Sequence, residues 1–309
     1  MRSNAAMRLR VLIALVGWLG LCGCGSVATP PIPDDPKAAL ELGVTLLPTS
    51  AAQALAVFES IDRDSLQKDD AERLDVLIAQ ATAGTGDLWG AYEVVREIQD
   101  RNRFSRTQVE IQELHFAIGK ALFARDASYF IFGSDRGDAR IVLREFIERY
   151  PTDPNAASGL QLLGEDAFAE HDWDEARRRY EQIIQDHPDS EWIPLAHFRH
   201  AMAEFAALIG PAYDLPSLRR ARNELRDYLA VDKPERPDFK GAAEAALATA
   251  DDWLAQRYML DAGFYRTLGN APGERFWLEQ YLAEFAGRTE AEAVRTRLSE
   301  LGGDKGGTR

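Results

Sequence analysis

From Lys37 onward, apolar residues recur at spacings of three and four, and no stretch sustains the alternation of apolar and polar residues that marks a strand. This spacing places apolar side chains on one face of a helix, and the abundant Ala, Leu, Glu and Arg favour helices. Turn sequences rich in Gly and Pro interrupt the pattern at 84–87, 150–154, 187–190 and 267–270. The sequence therefore predicts an all-α fold of helices of about 12–18 residues joined by short turns.

The clearest unit, residues 160–188, resembles a tetratricopeptide repeat, which is a pair of packed antiparallel helices. Small residues allow the two backbones to approach, and larger ones fill the groove to the next repeat. Asp172 or Asp174 is expected to cap the second helix. The packing positions are Leu160, Leu163, Gly164, Ala167, Ala176, Tyr180, Ile183 and Pro188.

The same frame fits residues 75–103 and 115–151, and more loosely the stretch after Ala201 and the stretch after Ala262. Asp75 lies where the frame has an apolar residue, and Glu274 lies where it has a small residue. An eight-residue insertion in two of the units predicts first helices about two turns longer than usual. Residues 37–301 are thus expected to form five or six pairs, stacked into a right-handed superhelical arc with a concave face.

The N-terminus has the pattern of an export signal. Three arginines precede the short apolar run 11–21, and Leu21-Cys22-Gly23-Cys24 follows the pattern of the lipobox of bacterial lipoproteins. Cleavage after Gly23 would leave Cys24 as the acylated first residue of the mature chain. Cys22 is the alternative, but Leu21 is too bulky for the small-residue position before it. Residues 1–23 are the predicted signal peptide, 24–36 a Pro-rich tether and 302–309 a disordered tail.

Charge restricts the partners. The net charge is −14, and removal of residues 1–23 takes away three arginines and no acid, which lowers it to −17. Such a surface repels phosphate backbones and anionic lipid head groups, so we expect no nucleic-acid binding. We expect any charged partner to carry basic groups. Membrane attachment is expected through the lipid on Cys24, and no other cofactor is predicted.

Candidate chemical sites are few. His197 and His200 with Glu204 have a spacing that could hold a metal, but no further ligand is indicated and His200 falls at a packing position, so no metal is predicted. The acidic pairs Asp34-Asp35, Asp69-Asp70 and Asp251-Asp252 fit a tether or helix starts, and the arginine runs 177–179 and 219–220 fit surface ion pairs. No nucleophile or phosphate-loop motif is present, so we expect no catalytic residue and no enzyme activity.

Two groups of aromatic residues differ in expected role. Trp173 and Trp192 flank the clearest repeat and are expected in the core at turns. Tyr129, Phe130 and Phe132 lie in the first insertion, where they either pack beneath the arc or contact a partner.

Several stretches resemble the BamD family, outer-membrane lipoproteins of the β-barrel assembly machinery. Phe132 to Arg136 is similar to its FG-x-DR insertion, and Leu254-Ala255 with Ala262 to Tyr265 is similar to its late segment. The resemblance implies a lipoprotein on the periplasmic face of the outer membrane. Its implied partners are an Omp85-type barrel assembly protein, accessory lipoproteins and unfolded outer-membrane proteins.

The chain departs from the family where Phe285-Ala286-Gly287 replaces the usual Tyr-Pro, and where a full repeat follows the FG-x-DR element. The alternative hypothesis is another periplasmic tetratricopeptide lipoprotein, one that organises envelope growth or polysaccharide export.

Overall fold

The structure is a computed structural model that describes residues 31–101, 106–125, 134–212, 214–230 and 237–303. Within these ranges the fold is all-α, as predicted, with a short 3₁₀ helix at Arg63–Ser65. The α-helices are α1 Pro36–Leu46, α2 Ala51–Glu59, α3 Lys68–Gly84, α4 Leu88–Arg101, α5 Gln108–Arg125, α6 Asp135–Arg149, α7 Pro154–Ala169, α8 Trp173–Asp186, α9 Ile193–Ala206, α10 Leu215–Ala230, α11 Pro237–Thr267, α12 Ala271–Phe285 and α13 Ala291–Gly303.

Helices adjacent in the chain pack against one another throughout, from α1 with α2 to α12 with α13. The pairs stack into an arc of the tetratricopeptide type, which confirms the predicted architecture. Helix α1 begins at the last residue assigned to the tether, and α13 extends two residues into the predicted tail. None of the described helices is both long enough and apolar enough to cross a membrane.

Short polar side chains start many of these helices. Asp35, Ser50, Ser134, Asp153 and Asp172 each precede a helix and accept a hydrogen bond from a backbone N–H in its first turn. Each bond satisfies one of the N–H groups that a helix start leaves without an internal partner. At α8 the cap is Asp172, whose Oδ1 accepts from the N–H of Glu175 at 3.1 Å.

Two glycines end helices at predicted turns. Gly86 has φ +93° just after α3, and Gly269 has φ +66° just after α11. Residues with a side chain rarely adopt this left-handed backbone conformation, whereas glycine adopts it without steric cost. The chain can therefore reverse there and begin the next helix within a few residues.

The core is a series of neighbouring clusters rather than one centre. One cluster joins α1, α2 and α3 around Phe58, and others follow around Tyr92, Tyr180 and Phe198. The last surrounds Tyr258 and is formed mainly by α10 to α13. Each helix pair thus buries its apolar face against its neighbours in sequence, as in a solenoid.

The structure corrects two predictions of helix length. Helix α9 has 14 residues, two fewer than α7, so the expected extension by two turns is wrong there. The added residues lie between α9 and α10, where Leu208 is buried and Gly210 has φ +132°. Helix α11 spans 31 residues, well beyond the predicted range.

Asp251 and Asp252 lie within α11 and do not start a helix, which corrects their expected role. Asp251 pairs with Arg222 of α10 at 2.5 Å, and Asp252 pairs with Arg288 at 2.7 Å. These partners come from other elements of the stack, so the acidic pair links α11 to its neighbours.

Candidate partner-binding surface

The predicted packing residues of the unit 160–188 meet between α7 and α8. Seven of the eight predicted packing positions are buried, and Tyr180 and Ile183 are inaccessible to solvent. Pro188 is exposed in the turn after α8. The buried positions are Leu160, Leu163, Gly164, Ala167, Ala176, Tyr180 and Ile183.

Tyr180 also connects this repeat to the next one. Its hydroxyl donates a hydrogen bond to Glu165 Oε1 at 3.0 Å, and Arg199 of α9 donates to both oxygens of Glu165 at 3.0 and 2.9 Å. Burial and the neighbouring Glu165 carboxylate raise the pKa of Tyr180. The hydroxyl therefore stays protonated and holds the carboxylate in place.

Trp173 and Trp192 are half-buried, Trp173 as the first residue of α8 and Trp192 as the residue just before α9. The ring of Trp173 contacts Phe168 edge-on, with centroids 5.0 Å apart. The indole N–H of Trp192 donates to Ser158 Oγ at 3.0 Å, which fixes the turn that contains Pro188 against α7. Both are packing residues at turns.

The acidic departures from the repeat frame are held by arginines from neighbouring helices. Asp75 is nine-tenths buried, and its carboxylate accepts from Arg63 and Arg101, both at 2.9 Å. Glu274 is 2% exposed and accepts from Arg266 at 2.6 Å and from Arg297 of α13 at 2.8 Å. A charge at such a position is tolerated because it is paired and hydrogen-bonded.

The FG-x-DR-like element includes two residues that join three helices. Asp135 is fully buried, and Arg125 of α5 donates to its two oxygens at 2.5 and 2.6 Å. Arg136 lies 4.9 Å from the centroid of the Phe123 ring and pairs with Asp166 of α7 at 3.0 Å. These two residues therefore have structural roles at the junction of α5, α6 and α7.

Two residues of the candidate metal pattern, His200 and Glu204, bind other side chains. His200 Nδ1 lies 2.6 Å from Glu224, and the buried Glu204 is held by Arg177 and Arg220. No group of three possible metal ligands occurs in the described part of the chain. Burial raises the pKa of Glu224, but the hydrogen bond with His200 and the charges of His200, Arg177 and Arg220 together outweigh it, so the pKa lies below the usual value.

The arginine runs form the ion pairs that were predicted, with one exception. Arg178 and Arg179 pair with Glu175 on the same helix, and Arg177 and Arg220 meet at Glu204. Arg219 differs, because it donates to the hydroxyl of Tyr258 at 2.8 Å.

A row of exposed apolar side chains runs along the C-terminal half of α11 and continues to Leu268, the first residue after the helix. Leu260, Phe264 and Leu268 are 52%, 58% and 62% exposed. Their spacing of four places them on one side of the helix, whereas Tyr258 and Ala262 face the core. We call these three residues the α11 row. Sequence reasoning missed it because apolar residues in a helical pattern were assigned to the core.

A groove of about 550 Å³ adjoins the α11 row. Met259 and Leu260 form part of its apolar wall together with Tyr281 of α12. Glu290 and the ion pair of Asp252 with Arg288 add charged groups. Exposed apolar side chains beside charged groups mark contact surfaces for other proteins. The α11 row and this groove are the candidate partner-binding surface.

The other candidate residues lie outside the described part of the chain. These are the lipidation and cleavage residues Cys24 and Gly23 and the aromatic group Tyr129, Phe130 and Phe132. Their predicted roles stay predictions.

Residues 160–190 match the family model described as Tetratricopeptide repeat, which covers about a tenth of the chain. A search of curated proteins found no match to the chain. The match coincides with the unit formed by α7 and α8, and together with the stacked helices it supports a helical repeat protein of the tetratricopeptide type. Such repeats mediate protein–protein interactions.

Proposed function

We propose that this protein is a non-enzymatic scaffold, attached through a lipid on Cys24 to the periplasmic face of the outer membrane, that takes part in the assembly of β-barrel proteins. The observation that carries the scaffold role is the α11 row, which exposes three large apolar side chains next to a groove on a repeat fold. The lipobox-like residues 21–24 and the FG-x-DR-like residues 132–136 support the location and the process.

The proposed partner segment combines apolar side chains with basic ones. The α11 row favours Leu, Phe or Tyr on the partner, and Glu290 at the groove favours Lys or Arg, whereas Asp252 is already paired with Arg288. The Omp85-type assembly protein is the proposed main partner, with accessory lipoproteins and unfolded barrel substrates as further ones. A lipid anchor would confine these encounters to one surface and so raise their effective concentration.

Affinity purification from chemically cross-linked envelopes tests the process. We expect an Omp85-type protein to be recovered with the tagged chain. Recovery without any such protein would overturn the proposal, and recovery of polysaccharide-export or envelope-growth proteins would establish the alternative hypothesis.

A pair of cysteine variants tests the attachment. We expect Cys24→Ser to be released from membranes by a carbonate wash, and the matched control Cys22→Ser to remain bound. A Cys24→Ser protein that stays bound would contradict the proposed anchor, and loss of binding only in Cys22→Ser would assign the lipid to the other cysteine.

A further inference from the structure

A polar cavity of about 490 Å³ lies where α4, α5 and α6 meet, far along the chain from the α11 row. It is lined by Gln99, Gln108, Glu145, Glu148, Arg149 and Tyr150. Apart from Tyr150, which begins the predicted turn 150–154, none of these residues was singled out by the sequence patterns. The hydrogen bonds beneath the cavity determine which groups it offers to a ligand.

His115 is fully buried and contacts the side chain of Gln99. Its Nε2 lies 3.1 Å from the carbonyl oxygen of Val142. A carbonyl oxygen only accepts hydrogen bonds, so Nε2 carries the proton. Burial lowers the pKa of His115 to about 4, so the ring is neutral at pH 7 and its Nδ1 is an acceptor.

The hydrogen-bond partners of Gln99 determine the orientation of its side-chain amide. The Gln99 side-chain amide lies 3.0 Å from His115 Nδ1. Because His115 Nδ1 is an acceptor, the atom that faces it must be the NH₂ nitrogen of Gln99, Nε2, and not the carbonyl oxygen. Gln99 Nε2 also donates to the hydroxyl of Tyr150 at 3.0 Å. Gln99 Oε1 is therefore directed elsewhere, and it accepts no hydrogen bond although Gln99 is only 3% exposed. Such an orphan acceptor is costly unless a donor reaches it.

The charge around the cavity is mainly negative. Arg149 donates to Glu145 at 3.0 Å and to Asp100 at 3.2 Å, so one guanidinium faces two carboxylates. Glu148 is exposed and has no ion pair within the described part of the chain. The cavity thus combines an unused acceptor with excess negative charge.

We propose that this cavity binds the basic side chain of a partner polypeptide, with its N–H groups donating to the carboxylate of Glu148 and, once the side chains that cover it shift, to the buried Gln99 Oε1. A guanidinium or ammonium group supplies both the donors and the positive charge that the cavity lacks. A carboxylate or phosphate would meet Glu148 and Glu145 and be repelled. The site is separate from the α11 row, and its test needs neither a membrane nor the assembly machinery.

Titration of the purified chain with the peptide Ac-Gly-Arg-Gly-NH₂, followed by NMR, tests the proposal. We expect shifts of the side-chain amide signals of Gln99 and Gln108, and weaker binding of the citrulline peptide, which keeps the shape but lacks the charge. Glu148→Gln is expected to weaken arginine binding about two- to fivefold, as for loss of one exposed ion pair. The matched control Glu59→Gln removes the same charge at the exposed end of α2 and is expected to have no effect.

Three results would overturn the site. One is the absence of shifts at Gln99 and Gln108 at peptide concentrations of about 10 mM, well within reach of a weak site. Another is equal weakening by Glu148→Gln and Glu59→Gln, which would reveal general attraction to an acidic protein. The third is equal binding of the arginine and citrulline peptides. Glu148 is exposed, so its replacement does not put folding at risk.

Discussion

The ring of Tyr180 lies directly over the backbone of Gly164, where α8 crosses α7. A Cβ atom placed on Gly164 would come 2.9 Å from Cζ of that ring, closer than real Cβ contacts allow. Tyr180 is fully buried, so the ring has no free space into which to move. The close approach of these two helices therefore depends on the absence of a side chain at position 164.

Replacing Gly164 with Ala tests that dependence. Alanine favours a helix over glycine by about 1 kcal/mol, but overpacking a buried contact costs about 1–3 kcal/mol. We expect a net loss of up to about 2 kcal/mol in the free energy of unfolding, measured by urea denaturation. Gly263→Ala is the matched control, because Gly263 lies inside α11 and a Cβ atom added there would meet nothing within 4 Å. The control is expected to gain about 0.5–1 kcal/mol, and a gain in both variants would contradict the packing argument.

The buried His115 is expected to make the folded state sensitive to mild acid. Its pKa falls from 6.5 to about 4 on burial, so the unfolded chain binds the proton more readily. The stability that this group supports is present above pH 6.5 and is lost as the pH falls towards 4. Between pH 7 and pH 5 we expect it to account for a loss of about 2 kcal/mol.

The measurement compares wild type with His115→Gln by urea unfolding at both pH values. Glutamine does not titrate in this range, and its amide can still donate to the carbonyl of Val142. We therefore expect the variant to lose less stability between pH 7 and pH 5 than the wild type does. Equal losses in the two proteins would assign the acid sensitivity to the carboxylates.

The unit 160–188 was predictable from sequence because its contacts are local. Small residues at Gly164 and Ala176 and the apolar periodicity of each helix lie within one short segment, and the structure places them as the pattern indicates. The same reasoning recognised that Asp75 and Glu274 depart from the frame. It did not find their partners, because Arg101 and Arg297 come from later helices.

Helix α11 shows why other features were missed. Asp251 and Asp252 have the composition of a helix start, but arginines from other elements pair with them in mid-helix. The α11 row has the helical spacing of core residues, and only the position of the helix in the stack decides that Phe264 is exposed. Exposure of one helix face is a tertiary property that periodicity alone does not determine.

Glu274 is expected to stabilise the fold although the frame calls for a small residue there. Hydrogen bonds from Arg297 and Arg266 hold its pKa below the usual value. The stabilising contribution is therefore present above the unfolded pKa of about 4.3 and is lost as the pH falls through the lower folded value. We expect Glu274→Gln to be less stable than wild type at pH 7, with the difference shrinking by about pH 3.

Glu279→Gln provides the matched control for this experiment, because Glu279 is an exposed carboxylate on the same helix. Its replacement is expected to change the urea midpoint little at either pH. A Glu274→Gln protein as stable as the control variant at pH 7 would show that the buried ion pairs contribute nothing.

The α11 row is expected to serve binding and not folding. Phe264 and Leu268 are each more than half exposed, so the double variant Phe264→Ser, Leu268→Ser is expected to change the free energy of unfolding by no more than about 0.5 kcal/mol per site. The same variant is expected to lose the Omp85-type protein in cross-linked purifications, because the apolar contact area is removed. Val109→Ser, Ile141→Ser is the matched control, since these residues are comparably exposed but lie on α5 and α6. Equal recovery of the partner with both double variants would exclude the α11 row as the contact, whereas loss confined to the α11 variant, with unfolding unchanged, would assign it.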